Sequence, residues 1–244
     1  MEKFEYKKLF ELEEEFFWNS FLRKLVHERI KDFSGKKNLM ILDAGCGTGI
    51  LAKELSATVK VMGLDLSMRA LLYCRKRGLR NLVNAPIEKL PFKNNSFDAV
   101  LSLDVLCHKW VESDLKALKE FNRVLKKKGI IIINEPAFNL LYSAHDKAVH
   151  IRHRYTKKEL KEKIIKEGFA IEKIVYWNSL LFPLITIFRL IKNLSKDRES
   201  DLMKLHPTVN RLLLSILSFE SKISKKIRLP LGLSLFCVAK KIEE

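Results

Sequence analysis

The chain has 244 residues, of which 47% are hydrophobic, so it can bury one substantial core. It carries 46 Lys and Arg against 29 Asp and Glu, a formal net charge of +17, which would attract phosphates, nucleic acid or an anionic membrane surface. The longest apolar run, Leu180 to Phe188, is interrupted by Pro183 and falls short of the roughly 20 apolar residues that a membrane span needs. The sequence contains no glutamine, and a lysine-rich chain poor in amides is equally typical of a thermophilic surface, so the charge alone assigns no partner.

The cysteines and the N-terminus indicate a compartment. The cysteines form no C-x-x-C pair, which argues against a zinc knuckle or a redox dithiol and favours a reducing cytoplasm. The N-terminus is rich in acids and lacks the charged-then-apolar layout of a secretory signal. We therefore expect a cytoplasmic protein, with peripheral contact to a membrane as an open alternative. The four cysteines are Cys46, Cys74, Cys107 and Cys237.

The first part of the chain alternates between helical and strand patterns. Apolar residues recur at three- and four-residue spacings from Phe4 to about Phe33, which predicts an amphipathic helix or a helix pair. Further on, Ser67 is positioned to cap a helix that ends at Gly78. Strands are predicted at 38–43, 59–64 and 82–84, and a short helix at 50–55.

The rest of the chain continues the alternation. Ser113 is positioned to cap a helix that we expect to end at Gly129, and Thr156 opens a capping box for a helix that stops at Gly168. The remaining strands are predicted at 97–103, 130–133, 169–177 and 233–240. Strands separated by helices of this length predict right-handed crossovers, hence an α/β fold with a doubly wound, mostly parallel sheet of about seven strands. Such sheets bind ligands beyond the carboxyl ends of their strands.

A glycine-rich loop follows the first predicted strand. Glycines at 45, 47 and 49 let the backbone approach a ligand closely, and the next helix offers unpaired N–H groups to a carboxylate. A nicotinamide dinucleotide loop would need glycine or alanine at position 50, where this chain has isoleucine. Asp43 can help to hold an ammonium group, and Asp65, at the end of the second strand, is placed to accept both hydroxyls of a ribose.

Five short motifs carry a resemblance to a known family. They are Leu-Asp-Ala-Gly-Cys-Gly-Thr-Gly at 42–49, Gly-Leu-Asp-Leu-Ser at 63–67, Leu-Pro-Phe at 90–92, Ser-Phe-Asp at 96–98 and Arg-Val-Leu-Lys at 123–126. With them, the sequence resembles the class I S-adenosylmethionine-dependent methyltransferases over about residues 38 to 177. The resemblance implies a Rossmann-like methyltransferase domain, which we place at 35–178 and 231–244. The residue patterns outside the resemblance predict an N-terminal helical cap at 1–34 and a helical insertion before the last strand at 179–230.

The resemblance also implies the cofactor, S-adenosyl-L-methionine, and its contacts. The glycine loop would contact the methionine part, Asp65 the ribose and Leu66 the adenine face. In the family, an acid before the Leu-Pro-Phe motif often takes the adenine amino group. Here Pro86 holds that place, so the backbone of Ile87 or the side chain of Glu88 must substitute. The implied cofactor residues are Asp43, Gly45, Cys46, Gly47, Asp65, Leu66, Ile87, Glu88 and Leu103.

Two histidines are the candidate catalytic residues. His108 follows the fourth predicted strand and His145 the fifth, where either could accept a proton if the acceptor arrives protonated, or could instead hydrogen-bond a loop or contact the substrate. No metal is expected, because the spacing of His145, His150 and His153 matches no usual ligand set. Further candidates could bind a phosphate or carboxylate, or pair with surface acids: Arg152, Arg154 and Tyr155.

Three functions fit these patterns. The favoured one is a methyltransferase acting on a small-molecule or lipid-linked acceptor that the sequence does not identify. The alternative, a nucleic-acid (RNA) methyltransferase, is supported by the charge, but residues 104–107 read Asp-Val-Leu-Cys where a base-holding N/D-P-P-Y/F-like tetrapeptide would stand. The third is a cofactor-binding regulatory protein without catalysis. The oligomeric state is not predicted.

The insertion is too apolar in its first half to be a solvated helix. In one interpretation, the two halves of the insertion form helices that pack on each other and against the N-terminal helix. In the other, the insertion covers the substrate site and meets an anionic membrane surface. The membrane alternative depends on a basic rim that consists of Arg189, Lys192, Lys196, Arg211, Lys222, Lys225, Lys226 and Arg228.

Overall fold

The computed structural model describes residues 3–33, 38–194, 202–224, 227 and 229–242. Its strands are β1 Met40–Ala44, β2 Lys60–Asp65, β3 Leu82–Asn84, β4 Phe97–Leu103, β5 Leu125–Pro136, β6 Phe169–Trp177 and β7 Ser234–Lys241. Its helices are α1 Lys3–Leu12, α2 Phe17–Phe33, α3 Ile50–Leu55, α4 Met68–Lys76, α5 Asp114–Val124, α6 Ala144–Ala148, α7 Lys157–Lys166, α8 Phe182–Leu194 and α9 Pro207–Ile223, and a 3-10 turn spans Asn139–Leu141.

The seven strands form one sheet in the order β3-β2-β1-β4-β5-β7-β6. The pairs among β3, β2, β1, β4 and β5 are parallel, whereas β7 runs antiparallel between β5 and β6. Successive strands are added outward in one direction from β1 to β3 and in the other direction from β4 to β5. The order therefore reverses between β1 and β4, which is the topological switch point where doubly wound sheets bind ligands. The predicted fold, a mostly parallel Rossmann-like sheet of about seven strands, is confirmed.

Helices cover both faces of this sheet. Helices α5 and α7 pack on one face of the sheet through residues such as Phe121 and Leu160. The other packs under α2, α3 and α9 through residues such as Phe21 and Leu217. Alternate strand residues serve the two layers, which is why the centre of β5 reads as a run of isoleucines.

Three predicted helix starts are confirmed by their capping hydrogen bonds. The side-chain oxygens of Ser67, Ser113 and Thr156 each accept a backbone N–H three residues further on, at 3.4, 3.3 and 3.2 Å. Each cap pairs one of the N–H groups that a helix leaves unpaired at its first turn.

The prediction that the fifth helix ends at Gly129 is wrong. The helix stops at Val124, and Leu125 already has extended backbone angles and begins β5. The register shifts here, since Phe97 pairs with Leu125 but Ala99 with Ile130. A Cβ on Gly129 would lie 2.8 Å from the carbonyl oxygen of Lys126, so this glycine is needed for close backbone approach inside an irregular strand.

Two pairs of helices lie outside the central alternation of strands and helices. The N-terminal pattern forms two helices, α1 and α2, and α2 packs beside α9. Helices α8 and α9 lie between β6 and β7, where an insertion was predicted. In the described part of the chain, no helix combines the length and the apolar character needed to cross a bilayer. Four members of the predicted basic rim lie outside the described residues, Lys196, Lys225, Lys226 and Arg228, as does the side chain of Lys192.

Candidate active site

A cavity of about 1150 Å³ lies at the carboxyl ends of β1, β2 and β4. This exceeds the roughly 300–1,000 Å³ of an ordinary small-molecule site, so it has room for more than one ligand. The structure brings the predicted cofactor residues and the two predicted catalytic histidines to this cavity, whereas the candidates Arg152 and Tyr155 do not line it. Its lining includes Asp43, Gly45, Cys46, Gly47, Asp65, Leu66, Ile87, Glu88, Leu103, His108 and His145.

The glycine loop is shaped by two different requirements. Gly45 has φ +93°, and a Cβ there would lie 2.3 Å from a methyl carbon of Val105, so the loop after β4 packs directly on it. Gly47 also has positive φ, +55°, but a Cβ there would meet no atom within 4 Å. The first glycine therefore permits close packing, and the second leaves open space beside the cavity.

Asp65 is held rigidly at the end of β2. Its two carboxylate oxygens accept the backbone N–H groups of Gly47, at 3.0 Å, and Ser67, at 2.8 Å. Burial raises the pKa of Asp65, while these two hydrogen bonds act to lower it. Each oxygen retains acceptor capacity, so the carboxylate can receive two neighbouring hydroxyl groups.

Two further acids, Asp43 and Glu13, line the same cavity. Burial raises the pKa of Asp43 to about 7, and the negative charges of Asp65 and Glu13 add to this effect. Burial likewise raises the pKa of Glu13, although Thr48 and Arg77 oppose the shift. Three carboxyl groups around one end of a cavity favour a cationic ligand and disfavour a pyrophosphate. The ammonium and sulfonium groups of S-adenosylmethionine fit this arrangement.

The sequence analysis missed Glu13 and its partner Arg77. Thr48 donates its hydroxyl proton to Glu13 Oε1, and Arg77 Nη2 donates to the same oxygen at 2.9 Å. Arg77 also donates to the carbonyl oxygens of Thr48 and Phe10, at 3.1 and 3.0 Å. This network joins the N-terminal helices to the glycine loop. Glu13 stands in an acidic run whose members look alike in the sequence, so no local pattern distinguishes it.

A contact between two cysteines was also not predicted from their spacing in the sequence. Cys46 and Cys74 have their sulfur atoms 3.7 Å apart, and Cys74 donates to the carbonyl oxygen of Gly47 at 3.2 Å. The fold therefore brings together two thiols that are 28 residues apart in the chain. The hydrogen bond with Cys74, together with burial, raises the pKa of the Cys46 thiol, which keeps it protonated and unreactive.

The two residues expected at the adenine end have different surroundings. Ile87 is buried, so its side chain forms part of the cavity wall. One carboxylate oxygen of Glu88 accepts the backbone N–H of Glu112 at 2.7 Å. The side chain of Glu88 is thus tied to the loop before α5 through one oxygen, while its second oxygen retains acceptor capacity.

His108 lies on a loop that buried acids position. Glu135, in β5, accepts the backbone N–H groups of Leu106 and Cys107 at 2.9 and 3.0 Å. Burial lowers the pKa of His108 to about 4, so its imidazole is neutral near pH 7. Its Nδ1 lies 3.3 Å from the carbonyl oxygen of His150, and a carbonyl oxygen can only accept a hydrogen bond. This contact assigns the hydrogen to Nδ1 and leaves Nε2 as the basic atom.

Three more ionisable residues line the cavity: Asp104, which was not predicted as a site residue, Arg154, which was predicted as a candidate for binding a phosphate or carboxylate, and Arg189. Burial raises the pKa of Asp104 to about 7, against the hydrogen bond that Asn134 Nδ2 donates to it at 2.8 Å. Arg154 is buried, pairs with Asp146 at 2.8 Å, and lines the cavity together with Arg189. The positive charge of Arg189 contributes to lowering the pKa of Arg154, after burial, so the two guanidinium groups lie near each other.

The other polar candidates of this region pair with acids. Arg152 donates to Asp114, and the hydroxyl of Tyr155 donates to the same carboxylate at 2.8 Å. His153 Nε2 lies 2.9 Å from Glu159. Among the described residues, no three His, Cys, Asp or Glu side chains are grouped as ligands of a metal ion.

Comparison with known proteins identifies the fold and the family. A family model described as a methyltransferase domain matches residues 42–133. An uncharacterized protein of Methanocaldococcus jannaschii is 35% identical over 182 residues, 70% of this chain and 72% of that protein. The demethylmenaquinone methyltransferase of Staphylococcus aureus is 35% identical over 134 residues, 49% of this chain and 55% of that enzyme, so the chain spans about half of that relative.

A solved structure agrees with these alignments. A SAM-dependent methyltransferase from Thermotoga maritima, described as a possible histamine N-methyltransferase, superposes with a TM-score of 0.58 over 97% of this chain and 95% of its own, at 21% identity. The chain therefore belongs to the class I S-adenosylmethionine-dependent methyltransferases, and S-adenosyl-L-methionine is its cofactor.

Proposed function

We propose that the protein transfers the methyl group of S-adenosylmethionine to a largely apolar small-molecule or lipid-linked acceptor. One observation carries this proposal: beyond the cofactor end, the cavity continues between α8 and α9. The lining there is almost entirely aliphatic or aromatic, with Leu181, Leu184, Ile185, Phe188, Val209 and Leu213. An apolar acceptor would gain favourable burial against such walls.

The cofactor end would be held by the acids. Asp65 would accept the ribose hydroxyls, while Asp43 and the backbone of the glycine loop would hold the methionine part. S-adenosylmethionine supplies an electrophilic methyl group, which a nucleophilic atom of the acceptor takes in line while the C–S bonding pair stays on sulfur. The chain's main contribution would be to align the two molecules and to exclude water.

A proton must leave only when the nucleophile arrives protonated. The neutral imidazole of His108 lines the cavity, and its Nε2 would be the atom that accepts that proton. The low pKa of His108 makes it a weak base. Asp104 also lines the cavity and has a pKa near 7, so its carboxylate would be the stronger base of the two. The two guanidinium groups of Arg154 and Arg189 would receive a carboxylate or phosphate on the acceptor.

The apolar walls favour this acceptor class over nucleic acid, whose recognition uses cationic and stacking surfaces. The aligned relative from Staphylococcus aureus is also named for a small molecule, demethylmenaquinone.

The test is transfer of radiolabelled methyl groups from S-adenosylmethionine into fractions of a cell extract. We expect the label in the organic-solvent fraction, together with one equivalent of S-adenosylhomocysteine per methyl transferred. Label confined to RNA would contradict the acceptor class, and cofactor binding without transfer to any fraction would contradict catalysis. Phe188→Asp, which places a charge in the apolar wall, should reduce transfer at least tenfold while leaving cofactor affinity unchanged.

A further inference from the structure

Helix α9 exposes an apolar stripe. Val209, Leu212 and Phe219 lie three and seven residues apart, with Ile216 between the last two, so they share one helical face. Helix α8 exposes a second group, Leu184, Ile187 and Phe188. Across the two helices, the six exposed side chains retain 46% to 63% of their accessible surface. Contiguous apolar exposure of this kind marks an interaction surface.

The exposed stripe is continuous with the cavity. Leu184, Phe188 and Val209 line the cavity and are also exposed, so they lie where the cavity meets solvent. Ile187, Leu212 and Phe219 do not line it and point only outward. The outward face therefore surrounds an opening through which an acceptor would enter.

The charges on these helices are almost all positive. The stretches 182–194 and 202–224 contain five Lys or Arg, Arg189, Lys192, Lys204, Arg211 and Lys222. Their single acid is Glu220, which is buried and accepts the backbone N–H groups of Ser179 and Leu180 at 2.7 and 2.8 Å. Its charge is thus satisfied inside the protein. Arg189 lines the cavity, so the exposed charged side chains described on these stretches are Lys204, Arg211 and Lys222, all of them cationic.

We propose that the outward faces of α8 and α9 form a docking surface for an anionic lipid bilayer. A second copy of this chain would bring the same cations, on a protein of net charge +17, against each other. An anionic leaflet instead complements the charge while it accepts the apolar side chains, and each cation near it adds about 1 kcal/mol of attraction. The helices have 13 and 17 residues, so they would lie in the interface rather than cross it.

The test is flotation of the whole protein with vesicles of phosphatidylcholine, with or without phosphatidylglycerol, at low and high salt. We expect binding only to the phosphatidylglycerol vesicles, weakened by salt. The variant Ile187→Asp with Leu212→Asp should bind at least tenfold more weakly, and Arg211→Glu with Lys222→Glu should lose the preference for phosphatidylglycerol.

Matched controls are available on other helices. Leu72 on α4 and Ile165 on α7 are 52% and 47% exposed, and aspartate at either position should leave vesicle binding unchanged. The proposal is overturned if the wild-type protein does not float with phosphatidylglycerol vesicles at low salt, or if the control variants lose binding equally. It is also overturned if Leu212→Asp disrupts a dimer seen in sedimentation while vesicles are not bound. None of these measurements requires methyl transfer, so they are independent of the acceptor proposed above.

Discussion

Asp65 offers the most direct test of the cofactor site at the scale of single residues. Replacing it with alanine removes the carboxylate that we propose accepts the two ribose hydroxyls, and leaves the N–H groups of Gly47 and Ser67 without their acceptor. We expect S-adenosylmethionine affinity to fall by about 1–3 kcal/mol, roughly ten- to a hundredfold. Calorimetric titration measures it, with Asp98→Ala, which alters an acid away from the cavity, as the control. An unchanged affinity would remove Asp65 from the site.

His108 and His145 are the residues on which general-base catalysis can be tested. If His108 Nε2 accepts the proton of the acceptor, His108→Ala should lower kcat by about 10²–10⁴-fold without changing the affinity for the cofactor. If His145 only contacts the acceptor, His145→Ala should raise KM and change kcat little. Both are measured with the acceptor found by label transfer. Wild-type turnover in both variants would show that neither histidine accepts the proton of the acceptor.

At the scale of elements, Arg77 joins α1, the glycine loop and α4. Its side chain and that of Glu13 are nearly buried, with 6% and 7% exposed. Because Arg77→Ala would leave Glu13 buried without its cation, we expect a loss of about 3 kcal/mol in the free energy of unfolding, together with weaker cofactor binding. Urea denaturation measures the first effect.

The control for this experiment is Arg29→Ala, since Arg29 pairs with Glu172 near the surface and should contribute at most about 1 kcal/mol. Adding Glu13→Gln to Arg77→Ala removes the stranded charge and should recover part of the stability. If Arg77→Ala and Arg29→Ala lose the same stability, Arg77 does not hold the N-terminal helices.

Elements with strong local signals could be predicted from the sequence. The strands, the caps at Ser67 and Ser113, and the glycine loop each depend on residues close together in the chain. The end of α5 could not be predicted, because Gly129 serves a register shift against β4 and not a helix terminus. The Glu13–Arg77 pair was missed for a similar reason, since it joins positions 64 residues apart.

At the scale of the whole molecule, the protein separates its charges. The net charge of the chain is +17, yet four acids line the cavity, Glu13, Asp43, Asp65 and Asp104. Burial is the largest cause at each position, and the pKa values of all four acids are raised. The cofactor end of the cavity is therefore acidic within a basic protein, which suits a cationic ligand.

This separation of charge determines how stability should depend on pH without the cofactor. Asp43 and Asp104 titrate near 7 in the folded protein and near 3.8 when unfolded, so between these values the folded state holds protons that the unfolded state has released. Stability therefore falls as pH rises through this window. His108 acts in the opposite direction, because its pKa falls from 6.5 to about 4 on folding and stability from this residue grows as pH rises from 4 to 6.5.

Since two aspartates oppose one histidine, we expect the free energy of unfolding to be about 1–2 kcal/mol lower at pH 8 than at pH 6. Urea denaturation at the two pH values measures this. Replacing Asp43 and Asp104 together with asparagine should reduce the loss, because the two carboxyl groups that titrate near 7 are removed while His108 remains. Adding S-adenosylmethionine should stabilise the wild-type protein more at pH 8 than at pH 6, since its positive charges favour ionised Asp43. A wild-type protein that is at least as stable at pH 8 as at pH 6 would contradict the raised pKa values.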